Sequence, residues 1–190
     1  MSSNSYKENL VKPVLEASVS KVWEIAVQEW DVFECDEDET AETSCVCGKE
    51  GIRYLFEIRN RINGNTMYPI GSRCIRRFGN KDLSSQVGAY EKMFKLYDAI
   101  KAGVHIELNS QYFTKKLLVY LLDQGAFPAT QYNGQDGEND YRFMLDMFNK
   151  RDKSAISSSQ QRKISAIIAC SIKPFLAQRL NARHNSKVSN

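Results

Sequence analysis

Histidine is scarce in this chain: only His105 and His184 among 190 residues. That scarcity thins the repertoire for general acid–base chemistry. The chain has no His-Glu-x-x-His, no His-x-Glu of a zinc deaminase, no glycine-rich phosphate loop and no histidine beside its cysteine pair. A non-catalytic protein is the expectation. No apolar run approaches the ~18 residues of a membrane span, and the opening MSSNSYKENL lacks the apolar core of a signal peptide. An intracellular, cytoplasmic protein follows as the expectation. Five cysteines, an odd number, argue against a disulfide framework and suit metal ligands plus a spare thiol. Apolar residues at 42% and charged ones at 26% exclude wholesale disorder. No internal repeat is present.

Charge is unevenly spread. Residues 1–50 carry 12 acidic and 4 basic side chains, whereas residues 51–110 carry 5 and 10, and residues 111–190 carry 6 and 12. The acidity peaks in Glu34, Asp36, Glu37, Asp38, Glu39 and Glu42. A basic body with an acidic loop suits a surface that binds polyanions, and equally suits two ordinary solvated faces.

Hydrophobic periodicity predicts a mixed α+β protein. Residues 1–9 read as frayed, and Val11 to Glu29 as a helix with Pro13 in its first turn. Trp30 to Cys35 reads as a strand. Ile52 to Arg59 alternates strictly, and Asn63-Gly64 signals a type I′ hairpin turn into a return strand over Thr66 to Ile70. Gly71-Ser72 opens a short helix carrying Cys74. Helical stripes follow over Ser85–Lys101, Gln111–Asp123, Glu138–Lys150 and Ser157–Arg183. Ser157 and Gln160 have capping-box form, and Pro174 should kink or split the last helix. The expected organisation is an N-terminal helix plus hairpin module over 1–82, a helical region over 83–184 and a disordered tail over 185–190. The loop from Pro128 to Asn139, rich in Gly, Asn and Gln, is the best boundary candidate within the chain.

Four cysteines crowd into 40 residues: Cys35, Cys45, Cys47 and Cys74. Zinc takes four thiolate or imidazole ligands, and a small hairpin module needs such a staple because its own core is small. Gly48 supplies the tight turn after Cys47. A helix start favours the Cys74 thiolate. Strand, cysteine knuckle, hairpin and ligand-bearing helix form the layout of a treble-clef zinc module. Structural Zn2+ on all four cysteines, a site closed by four thiolates, is the expectation. Buried free cysteines acting as small hydrophobes are the alternative. Cys170 reads as a core thiol in an apolar helix.

The string Cys45-Val-Cys-Gly48, Ile52-Arg-Tyr-Leu-Phe-Glu-Ile58, Asn60, Asn63-Gly64 and Pro69-Ile-Gly-Ser-Arg-Cys74-Ile, closing on Phe78, resembles a family of short uncharacterised proteins. These come from bacteriophages, prophages and other mobile elements of Gram-positive bacteria. Asp140-Tyr-Arg-Phe-Met-Leu-Asp-Met-Phe148, Gln160-Gln-Arg-Lys-Ile164 and Ile172-Lys-Pro-Phe175 are similar to its second half, so the likeness spans most of residues 30–176. The resemblance implies a mobile-element origin and a metal knuckle, and brings no established activity. Cys35 stands outside its pattern.

Two kinds of partner suit these residues. Arg73, Arg76 and Arg77 gather at the ligand-bearing helix, Arg53, Arg59 and Arg61 on the hairpin, and Lys150, Arg151, Lys153, Arg162 and Lys163 near the last helix. Such patches suit nucleic-acid phosphates, and Tyr54, Phe56 and Tyr68, read as one hairpin face, suit either base stacking or the core. The alternative is a stoichiometric inhibitor or modulator of a host or defence protein, for example an anti-CRISPR, whose acidic loop imitates nucleic acid. No membrane or small-molecule partner is indicated.

Overall fold

The computed structural model describes residues 3–181, so His184 and the tail expected over 185–190 lie outside the described residues. The chain is a mixture of helix and sheet, and divides into two compact units, one up to Tyr90 and one from Glu91 onward.

In the first unit, helix α1 (Ser3–Ala17) is followed by a short α2 (Trp23–Ala26) and a 3-10 turn over Val27–Glu29. The helix thus begins well before Val11, holds Pro13 in its interior, and ends where one continuous helix was expected. The break comes at Ser18. Its buried hydroxyl donates to the Val14 carbonyl (2.7 Å) and accepts the Trp30 indole N–H (2.9 Å), which fixes the chain out of helical register. Leu10 and Val14 are buried on the inner face of α1.

Strands β1 (Trp30–Glu37), β2 (Tyr54–Asn60) and β3 (Thr66–Ile70) form an antiparallel sheet in the order β1-β2-β3. Trp30, Phe56, Ile58 and Ile70 are fully buried, and Phe56 meets Tyr90 edge-on at 6.1 Å. The hairpin turn differs from a type I′ turn, because Gly64 (φ +76) takes a positive φ and Asn63 does not. Asn60 causes this. Its buried side-chain oxygen accepts the Ile62 and Asn63 N–H groups, winding the chain into a longer connection that Gly64 unwinds.

That connection also serves α1. Asn63 and Asn65 both donate to the Ala17 carbonyl, and the Lys21 ammonium donates to the Leu15, Glu16 and Ser18 carbonyls. The orphan carbonyls at the helix C-terminus are therefore satisfied from outside the helix. Glu29 pins the same region. One carboxylate oxygen accepts Val19 N–H (2.7 Å) and the Asn60 amide (2.6 Å), and the other accepts Ser20 N–H (2.8 Å). Burial alone would raise its pKa, but these donors and nearby Lys21 outweigh it and hold the carboxyl below its usual range.

Helix α3 (Ser72–Arg76) follows β3, and α4 (Lys81–Lys101) runs through the division between the units. The second unit continues with α5 (Lys115–Asp123), α6 (Gly137–Asn149), α7 (Ser158–Ile167) and α8 (Lys173–Asn181). Thr114 caps α5, Asp136 caps α6, and Ser157 with Gln160 completes a capping box on α7. Between α7 and α8 the backbone takes a π turn over Ile168–Ile172, directly before Lys173-Pro174. The expected split thus takes the form of a π turn between α7 and α8, whose wider coil accommodates the i−4 clash that Pro174 imposes. Leu117, Leu118, Leu121, Met144, Ile164, Ile172 and Leu176 are among the second unit's buried apolar residues.

Candidate metal centre and its basic rim

The approach to the cysteines is a built loop. The Asp38 carboxylate accepts the N–H groups of Thr40, Ala41, Glu42 and Thr43 and the hydroxyls of Thr40 and Thr43. These donors, the Thr43 hydroxyl foremost, hold its pKa far below the usual carboxylate range. The acidic segment is thus shaped around one of its own acids.

The knuckle follows. Cys45 N–H donates to the Lys49 carbonyl (2.8 Å) and Gly48 N–H to the Cys45 carbonyl (2.7 Å), with Gly48 at φ +81 closing the turn. Val46 N–H donates to the Pro69 carbonyl (2.9 Å), tying the knuckle to the end of β3. There the chain passes Gly71, whose N–H points at Cys45 Sγ (3.3 Å), and enters α3, which carries Cys74. The Asn9 amide of α1 reaches the Cys47 carbonyl at 3.4 Å.

Three residues distant in sequence therefore meet. The thiols of Cys45, Cys47 and Cys74 are buried with their sulfurs all within 4.8 Å, Cys45 to Cys74 at 3.7 Å and Cys74 to Cys47 at 3.3 Å. Three such thiols can hold a metal ion. Tetrahedral ligands about 2.3 Å from zinc stand about 3.8 Å apart, a spacing the Cys45–Cys74 pair meets and the Cys47–Cys74 pair approaches. A hydrogen bond with Cys74, against the opposing effect of burial and helped by the Cys47 and Gly71 N–H groups, lowers the pKa of the Cys45 thiol. The same bond, burial and the Cys45 charge raise the Cys74 thiol.

Cys35 is not part of this cluster. It is buried on β1 opposite Phe56, with its sulfur 3.5 Å from the Asp36 carbonyl. The sheet register fixes it there, and the Asp38 loop intervenes before the knuckle. Four thiolates closing the site were expected, and three converge. Cys170, expected in the core, is exposed on the π turn.

Beside the cluster lies a cleft of about 390 Å3 lined by both cysteines 45 and 74 and by Lys49, Arg53, Tyr54, Ser72 and Arg73. Lys49 was not singled out from the sequence, although it adjoins Gly48, and Ser72 was read there only as part of the motif that opens the helix. Arg73, Arg76 and Arg77 are exposed on and after α3. The hairpin arginines are already engaged: Arg53 with Glu37, Arg59 over the Phe33 ring at 3.6 Å, and Arg61 with Asp31 at 3.3 Å and the Gln28 carbonyl. Tyr54, Phe56 and Tyr68 do not share one open face, because Phe56 is core and Tyr68 lies at a register shift opposite β2.

In the second unit, Lys150 donates to the Ala155 carbonyl and Gln160, and Lys153 to the Met147 and Phe148 carbonyls at the end of α6. Lys163 pairs with buried Asp140 at 3.3 Å, and Asn133 donates to the other Asp140 oxygen at 2.8 Å. Arg151 and Arg162 are exposed. His105 lines a separate cleft there with Glu107, Lys153 and Gln161. Among the described residues no helix is long and apolar enough to cross a membrane. No family model, curated protein or solved structure matches the chain.

Proposed function

We propose that this is a non-catalytic zinc protein whose treble-clef-like hairpin module binds nucleic acid, in the setting of a phage or other mobile element that the sequence resemblance implies. The observation that carries the reading is the convergence of three buried thiols beside a cleft lined by Lys49, Arg53 and Arg73. Thiolates in a small module suit zinc over harder cations. Among the described residues no carboxylate or imidazole lines that cleft, so none of them stands beside a bound ion as a general base. Arg73 and Arg77 have no ion-pair partner among the described residues, and they extend the rim beyond the cleft. In the second unit three of the five basic residues hold carbonyls or Asp140, so the rim at α3 is the stronger phosphate surface.

The test pairs elemental analysis with a salt titration of binding to single- and double-stranded DNA and RNA. One zinc per chain and affinity falling steeply with salt are expected. Replacing both Arg73 and Arg77 with Ala should flatten the salt slope by about two. Zinc without any nucleic-acid binding overturns the partner.

A second reading has one observation in its favour. The Asp38 bonds give the acidic loop a set shape, with Glu39 and Glu42 exposed. A shaped acidic surface suits the basic channel of a host or defence protein. Deleting residues 36–43 should then abolish capture of that protein and spare any nucleic-acid binding.

A further inference from the structure

We infer that the cleft beside the cysteines receives the terminal phosphate of a nucleic-acid strand, with one phosphate oxygen completing the coordination of the ion. This rests on the metal-binding reading above. The described cluster offers three sulfurs, whereas zinc takes four ligands. Two of its three cysteines, Cys45 and Cys74, also line the cleft, so an ion they hold is reached from it.

Charge selects the class of ligand. Zinc with three thiolates carries one net negative charge, so an anionic fourth ligand requires cations around it. Lys49, Arg53 and Arg73 line the cleft, and among the described residues no acid does. Arg53 is shared with Glu37, which leaves Lys49 and Arg73 to neutralise the incoming group. A terminal phosphate monoester carries about −1.5 to −2 charge at neutral pH and presents three oxygens. One can bind the ion while the others accept from Arg73, Lys49 or the Ser72 hydroxyl. An internal phosphodiester has one charge and two free oxygens, and both flanking strands would have to leave a concave site. A volume of about 390 Å3 lies within the range of pockets for small ligands, roughly 300–1,000 Å3, enough for one terminal nucleotide. Tyr54 on the wall offers its base an aromatic surface. Binding is ligand exchange: a phosphate oxygen enters, a water leaves, and no covalent bond changes.

The experiment uses the full chain with Co2+ in place of zinc. Thiolate-to-cobalt charge-transfer absorption counts the sulfurs, and the visible d–d bands report the fourth ligand. The probes are inorganic phosphate and one oligonucleotide with either a 5′-phosphate or a 5′-hydroxyl. The d–d bands should change with phosphate and with the 5′-phosphorylated strand, and the 5′-hydroxyl strand should bind about tenfold more weakly or worse. Arg73→Glu should abolish the change and keep the charge-transfer band, which shows that the variant still folds around the ion. A charge-transfer band with d–d bands that no phosphate alters overturns the inference and leaves metal binding standing. So does loss of the native d–d bands in Cys35→Ser or His184→Ala, because the chain would then supply its own fourth ligand. Absence of the charge-transfer band removes both the metal reading and this inference.

Discussion

Both units bury an apolar core, but the loops of the first are held by several separate buried polar groups and the second is built mainly on apolar helix faces. Up to Tyr90, each loop turns on a hydrogen-bond-rich side chain: Asp38 for the acidic segment, Asn60 for the hairpin connection, Glu29 for the chain after α1, and three thiols for the knuckle. Among the described residues from Glu91 on, capped helices bury leucine, isoleucine and methionine, with Asp140 and its partner Asn133 the buried polar side chains. Polar pins act all at once, because a buried donor or acceptor left alone costs more than its bond contributed. Apolar packing loses stability in proportion to what is removed. The first unit should therefore fail abruptly and respond to metal and pH, and the second should weaken gradually.

Metal removal is the strongest way to break that contrast. Chelation, or Cys74→Ser, should unfold the hairpin module outright, as expected where metal binding and folding are one event. Hydrogen exchange should show protection lost across β1, β2 and β3 and kept in α5 to α8. Equal loss in both regions would mean that the units do not fail separately.

Glu29→Ala comes next. It strands the Asn60 amide and the Val19 and Ser20 N–H groups, and should cost at least about 3 kcal/mol in urea unfolding. The pH dependence follows from the lowered pKa of Glu29. Its contribution is fully present above the unfolded value near 4.5 and disappears as pH falls through the depressed folded value. Glu29→Gln should flatten that acid limb of the stability curve.

In the second unit, Leu118→Ala should cost about 2–5 kcal/mol without altering metal content or the acid limb. Asp140→Asn, which removes the Lys163 pair, should cost about 1–3 kcal/mol there. The smallest effect belongs to Thr114→Ala: loss of the bond to Leu117 N–H should cost about 1 kcal/mol, read as a lowered urea midpoint.

Much of this was legible in the residues. Strict alternation placed β2, the Thr66–Ile70 run placed β3, and the Ser157 capping box placed the start of α7. Helix α1 was harder, because its early sequence is largely polar and its end is held by Trp30, twelve residues beyond Ser18. The hairpin connection misled for a similar reason. Asn63-Gly64 has the composition of a two-residue turn, but the Asn60 side chain competes for the same backbone N–H groups.

The sequence by itself determined the residue types and periodicities: which segments alternate, which carry a helical stripe, where caps fall and how many thiols exist. Those signals are local, arising from neighbours within a turn or two. Tertiary structure alone decided which thiols meet and which cations remain available. Cys45, Cys47 and Cys74 converge because the Val46–Pro69 bond and the Gly71 bend bring the knuckle to α3, while strand register holds Cys35 on β1. Lys163 looks as free as Arg73 in the sequence, yet a buried carboxylate claims it. Proximity between residues far apart along the chain is set by register and loop closure, and neither is written in the spacing of a motif.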